Sequence, residues 1–321
     1  MATNVRMISV PILQQRLTRF LLTLIVPAAL SLFMAQPVPA APVRTPHVEA
    51  ELVAAATAVV PGQPLPIALR LKMEPGWHTY WRNPGDSGLP TTLAWTLPDD
   101  ISAGPLEWPT PHVQRAGPLA NFGYDGEILL PVTLQPGKNL ARSAAVEMKA
   151  RADWLVCKEI CIPEGVDLAL TLPVAATASP DARWASQLTA VRAALPRPLA
   201  GGWQATAQGE GERIVLTLRA PAGAADPGQL YFFPYAETVI EPSPPQILTR
   251  DGSAYTLTLP VASNLAAAPD RLAGVLTATQ GFASGAGQGV GAGAGPAAGP
   301  AAGGAAERPP AGQPRRAQHP D

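Results

Sequence analysis

Cysteine, histidine and charge are all scarce in this 321-residue chain, which has 2 Cys, 4 His and only 15% charged residues. Cys157 and Cys161 are the only thiols, so any redox chemistry must lie there. There is no second cysteine pair and no His-x-x-x-His spacing, which argues against a built-in zinc or copper site. No metal and no cofactor are expected. The net charge of −1 supplies no attraction to a phosphate backbone, and no basic stripe is interleaved with aromatics, so nucleic acid is not an expected partner. No Ser-His-Asp order, phosphate loop or paired-carboxylate motif stands out.

Long apolar runs are also lacking, except near the start. Arg16 and Arg19 precede an apolar run from Phe20 to Met34, and the small residues of Val38-Pro-Ala-Ala41 follow. That order matches a secretory signal peptide cleaved near Ala40 to Ala41. The run is shorter than the ~20 apolar residues a bilayer requires, and Pro27 interrupts it. Residues 1–41 are therefore expected to be a signal, and the remainder an exported protein in a compartment where disulfides persist.

What the chain has in quantity is turn formers, 38 Pro and 29 Gly, set among 47% hydrophobic residues. Short apolar runs punctuated this way predict strands rather than helices. Candidate strands run at 47–59, 65–73, 91–97, 127–134, 145–156 and 166–172. They predict an all-β chain with an antiparallel β-sandwich over residues 43–175. Ser179 or Asp181 can then cap a helix on which Trp184, Leu188, Val191 and Leu195 share one face, with Pro196 and Pro198 stopping it. Further strands are expected at 213–219, 229–233, 255–261 and 272–279, in a second β-rich subdomain over 180–280 that lacks cysteine and histidine. From 281 to 321 the composition turns to Gly, Ala and Pro, which cannot bury a core and predicts a disordered tail.

The cysteine segment reads Trp154-Leu-Val-Cys-Lys-Glu-Ile-Cys-Ile-Pro-Glu-Gly165. Residues four apart on one straight strand are ~13 Å apart, whereas a disulfide requires Cα atoms roughly 4.4 to 6.8 Å apart. A bond between the two therefore demands a helical turn or a tight loop. Closing so small a ring stabilises a fold by only ~2 kcal/mol in the chain-entropy model, so such a ring is a poor staple and suits an exchanging disulfide better. Lys158 favours a neighbouring thiolate and Glu159 opposes it.

Other segments accompany the pair: Gly76-Trp-His-Thr-Tyr-Trp-Arg-Asn-Pro-Gly-Asp-Ser-Gly-Leu-Pro90, Glu107-Trp-Pro-Thr-Pro-His112 and Phe122-Gly-Tyr-Asp-Gly-Glu127. Together with the cysteine segment they resemble the periplasmic N-terminal region of the DsbD/ScsB family of thiol:disulfide interchange proteins. Tyr231-Phe-Phe-Pro234, Pro245-Gln246 and Leu272-Ala-Gly-Val-Leu276 resemble that region's second subdomain. The resemblance implies an immunoglobulin-like domain over residues 43–175 in which Cys157 and Cys161 form a redox pair. This pair would receive electrons from a membrane-embedded donor and pass them to periplasmic thioredoxin-like or disulfide-isomerase proteins.

The Asn121–Tyr124 turn is similar to the family's cap loop, with Phe122 the first and Tyr124 the second choice for the shielding ring. His78 and Tyr80 match positions near the active site, with simple packing as their other reading. Family members usually continue into a multi-helix membrane domain and often a thioredoxin-like domain. Neither pattern occurs in this sequence, so either a separate membrane protein supplies the electrons or the coding sequence is truncated. The competing reading is a non-catalytic β-sandwich binding module, metal-handling in one form, with a structural cystine.

Overall fold

The computed structural model describes residues 41–141, 145–265, 270–282 and 292–293. The expected signal peptide and most of the expected tail lie outside the described residues. In chain order the first strands are β1 (Val43–Arg44), β2 (Val48–Ala54), β3 (Leu65–Met73), β4 (His78–Gly85), β5 (Thr92–Thr96) and β6 (Ile101–Ala103). They are followed by β7 (His112–Ala116), β8 (Leu119–Asp125), β9 (Glu127–Pro136), β10 (Val146–Cys157) and β11 (Cys161–Leu172). Helix α1 (Ala185–Ala193) comes next, then β12 (Arg197–Pro198), β13 (Gln204–Glu210), β14 (Arg213–Arg219), β15 (Leu230–Pro234), β16 (Ile247–Asp251), β17 (Ala254–Pro260), β18 (Gly274–Ala278) and β19 (Ala292–Gly293). The fold is all-β, an immunoglobulin-like sandwich followed by a second β-rich part that a single helix introduces.

Two compact units form, and neither is one continuous stretch of chain. The first comprises Met1–Thr79, Pro90–Trp108 and Tyr124–Ala193, the second Tyr80–Leu89, Pro109–Gly123 and Ala194–Asp321.

In the first unit one sheet has the order β1-β2-β3-β9-β6. Leu65, Ile67, Leu69 and Leu71 of β3 are buried on one face. On the other face Ala68 packs with Val53, Leu129 and the helix residues Trp184 and Leu188. Covered on both sides, β3 reads as a near-continuous apolar run, as a doubly buried strand should. Arg70 interrupts that run and is itself buried, with ion pairs to Glu49 at 2.8 Å, Glu127 at 2.7 Å and Glu51 at 3.5 Å, and with its guanidinium 5.6 Å from the Trp184 ring centre.

Asp181 starts the helix as expected. Its Oδ1 accepts from the backbone N–H groups of Arg183 and Trp184, both at 2.9 Å, satisfying donors that a helix leaves open. Ahead of it, bridges pair Val59 with Val174 and Ala56 with Pro180.

The first unit's other pairing set is the long β10–β11 hairpin, in register from Val146↔Leu172 to Cys157↔Cys161, with β5 against β10. Even-numbered β10 residues from Val146 to Val156 are buried and odd-numbered ones from Glu147 to Asp153 exposed, the period-2 pattern of a sheet with one face in the core.

In the second unit two four-stranded sheets, β12-β19-β18-β15 and β13-β14-β17-β16, enclose a core that includes Trp203, Leu216, Leu218, Phe232, Leu257 and Leu276. Phe282 packs against this core, its ring 5.3 Å from that of Trp203. The compositional change at 281 therefore falls one residue before a packed aromatic. The β7–β8 hairpin and the end of β4 belong to the same unit. Trp81 and Phe122 meet Phe233 edge to face at 6.1 and 5.0 Å, and Arg82 lies 4.4 Å over Tyr235.

Candidate functional site: the Cys157–Cys161 hairpin

Cys157 and Cys161 are bonded, with Cα atoms 4.2 Å apart. They stand directly opposite each other as the last pair of the β10–β11 ladder, and Lys158, Glu159 and Ile160 form the whole loop between them. The turn that the spacing demanded is a hairpin tip rather than a turn of helix. The β-rich flanks decide this, because two registered antiparallel strands already place opposite residues within disulfide reach.

Both sulfurs lie on the outward, odd-numbered face, yet they differ in access. Cys157 is only 3% exposed, whereas Cys161 is exposed. Along that face exposure falls from Asp153 through the half-buried Leu155 to Cys157, so the hairpin is progressively covered toward its first cysteine.

On the inward face of the same tip, Glu164 is a buried carboxylate. It accepts a hydrogen bond from the Thr45 hydroxyl at 2.5 Å, and its Oε1 lies 2.6 Å from His47 Nδ1. The His47 ring in turn stacks on Trp77 at 3.8 Å. One strand over, His78 pairs with Cys157 in the ladder. The β11 end of the disulfide hairpin is thus tied to residues 45–47, and Trp77 packs on the same imidazole.

Gly165 is required by a close approach. A Cβ there would lie 2.2 Å from Asp153 Oδ1 and 2.8 Å from the Ala152 carbonyl oxygen. Sequence reasoning missed the Thr45, His47 and Glu164 cluster, in which Glu164 lies more than a hundred positions from the other two.

His78 is 8% exposed and is placed beside the disulfide by the β10–β4 register. Tyr124, in the same unit, is 3% exposed, and burial holds its hydroxyl pKa well above the usual tyrosine value. Tyr80 and Phe122 belong to the second unit. Burial also raises the Tyr80 pKa, against a hydrogen bond to Ser87 that lowers it. A Cβ at Gly88 would sit 2.3 Å from the Tyr80 ring, with φ at +110°, so only glycine lets this turn close over the tyrosine.

Phe122 is fully buried, between Phe233 at 5.0 Å and Tyr231 at 6.3 Å. Residues 121–124, expected to form a turn, run instead as part of β8. The turn of this hairpin sits earlier, at Gly117, where φ is +59°, and the aromatics suit a pleated, buried strand. Among the described residues no three His, Cys, Asp or Glu side chains gather in a metal-binding group, and no helix is long and apolar enough to cross a membrane.

Residues 48–173 match the family model described as the N-terminal part of the thiol:disulfide interchange protein DsbD. In this stretch the chain is similar to a DsbD-type N-terminal region. Among solved structures, the N-terminal periplasmic domain of ScsB from Proteus mirabilis is similar, at 19% identity and a TM-score of 0.58, covering 81% of this chain and 99% of that one. No curated protein matches the sequence. The DsbD-type stretch contains β2 to β11, and so the whole redox hairpin. A disulfide in such a region is consistent with thiol:disulfide exchange.

Proposed function

We propose that this protein is a periplasmic thiol:disulfide exchanger. In this reading Cys157 and Cys161 relay two electrons from a membrane-embedded donor of the DsbD/ScsB type to thioredoxin-like or disulfide-isomerase proteins of the periplasm. The supporting observation is the disulfide at the hairpin tip with one exposed and one buried cysteine.

In the forward direction the reduced pair meets an oxidised partner. The Cys161 thiolate attacks one sulfur of the partner's disulfide, forming an S–S bond and releasing the other partner sulfur as a thiolate that takes up a proton. The Cys157 thiol then loses its proton and attacks Cys161 Sγ, closing the intramolecular disulfide and releasing the second partner thiol. Two electrons and two protons pass to the partner, which leaves reduced. Reduction by the donor is the same sequence in reverse. Cys161 takes the attacking role because exchange needs in-line access to a sulfur, and Cys157 the resolving role because it is covered and held opposite. His78 and Tyr80 stand as neighbours of the active site in this reading, and Phe122 or Tyr124 as its cap.

Trapping tests the assignment. Cys157→Ser is expected to accumulate a covalent complex with a periplasmic partner on non-reducing gels, and Cys161→Ser is not. If neither variant traps a partner while both stay folded, and the reduction potential lies below about −300 mV, the bond is a structural cystine and the exchange reading fails.

A further inference from the structure

Resting on the exchange reading, we propose that Ile160, Pro163 and Leu155 form an apolar collar around the exposed sulfur of Cys161, and that this collar selects protein partners whose reactive cysteine is itself rimmed by apolar rather than charged side chains. Ile160 is 67% exposed, the most exposed large hydrophobic residue among those described. It occupies the loop position next to Cys161. Pro163 is exposed on the same strand face as Cys161. It pairs across the ladder with the half-buried Leu155, which shares the face of Cys157.

Covalent geometry makes the collar unavoidable for a protein. A mixed disulfide brings the partner sulfur to about 2 Å from Cys161 Sγ, with the Ile160 Cα about 3.8 Å and the Pro163 Cα roughly 6.6 Å along the chain, so the partner's rim falls on Ile160 and Pro163. A small thiol reaches the same sulfur without covering either. The remaining loop residues, Lys158 and Glu159, are both exposed and opposite in sign. The tip therefore carries no net charge with which to steer a partner, and apolar burial is the term left to discriminate between partners.

The test compares two reductants on the oxidised full chain: dithiothreitol and reduced thioredoxin. Ile160→Ser is expected to slow reduction by thioredoxin about tenfold, the loss that removing one buried isoleucine side chain supplies, while reduction by dithiothreitol stays within about twofold. Ile160→Leu is expected to retain the wild-type thioredoxin rate, and that rate should differ little between low and high salt. An Ile160→Ser protein that thioredoxin reduces as fast as wild type overturns the collar. So does an equal slowing with both reductants, which would place the effect on the disulfide itself, and so does a steep salt dependence, which would make charge the selector. A wild-type protein that dithiothreitol reduces but thioredoxin does not sinks the exchange reading before any variant is made.

Discussion

Phe122 stands 0% exposed with aromatic edges on two sides, the environment of a core residue rather than of a ring on a loop. Truncation to alanine is expected to cost about 3 to 5 kcal/mol in chemical denaturation, because it leaves a cavity where Phe233 and Tyr231 now make contact. Phe122→Leu keeps most of that volume and should cost much less. If Phe122 also shields the disulfide, both variants should be reduced faster by dithiothreitol. A rate unchanged in the folded leucine variant would remove Phe122 from the cap and turn attention to Tyr124. At this scale the cysteines were legible because they are the only thiols, and His78 because it lies in a motif. The Glu164 to His47 pair was not, since nothing local in either neighbourhood announces a partner 117 residues away.

Among the elements, the strands read correctly from sequence are those whose burial alternates or is continuous, such as β3, β9, β10, β14 and β17. Those missed fail the pattern for physical reasons. β13 and β16 are almost wholly exposed, so they have no apolar face to display. β4 is buried without alternation and ends in Asn-Pro-Gly, which reads as a turn.

The packing of α1 on β2, β3 and β9 offers a sharper test through Arg70. Burial pushes the Glu51 carboxyl up, against the lowering charges of Arg183 and then Arg70. Arg70→Leu leaves Glu51 buried without its nearest cation and is expected to cost about 3 to 5 kcal/mol at neutral pH. With the folded pKa raised above the unfolded one, the unprotonated carboxylate is the destabilising form. The deficit should be full above the folded pKa and shrink as pH falls through it. Melts of both proteins at neutral and mildly acidic pH check this, and a deficit that stays constant or grows on acidification would show that Glu51 is not its source.

For the molecule as a whole, proposed linear domains at 43–175 and 180–280 meet a chain whose compact units interleave. The intervening stretch is bridged back to β2's neighbours at Ala56 and Val59. A fragment ending at Pro180 keeps the redox hairpin but lacks Trp184, Leu188 and every residue that packs on Trp81 and Phe122 from 231 onward. Its expected behaviour is loss of a cooperative unfolding transition. A fragment that unfolds cooperatively and exchanges thiols like the full chain would establish the first domain as autonomous. Limited proteolysis of the protein should cut first beyond Gly293, where the Gly- and Ala-rich composition has little apolar area to set against ordering entropy.

The interleaving also sets a timetable. Asn83 donates hydrogen bonds to the carbonyls of Pro234 and Ala236, which lie 151 and 153 positions downstream, and Ser243 donates to the carboxylate of Asp86, 157 positions before it. A chain delivered from its N-terminus therefore presents Trp81 and Phe122 long before their partners arrive. Until residue 243 has followed, these rings are sticky surface, and the closure that hides them is slow because so much chain must be gathered to make it. Delivery of the chain is when this protein is most in need of a chaperone, and the period of need ends when β15 and the segment after it arrive.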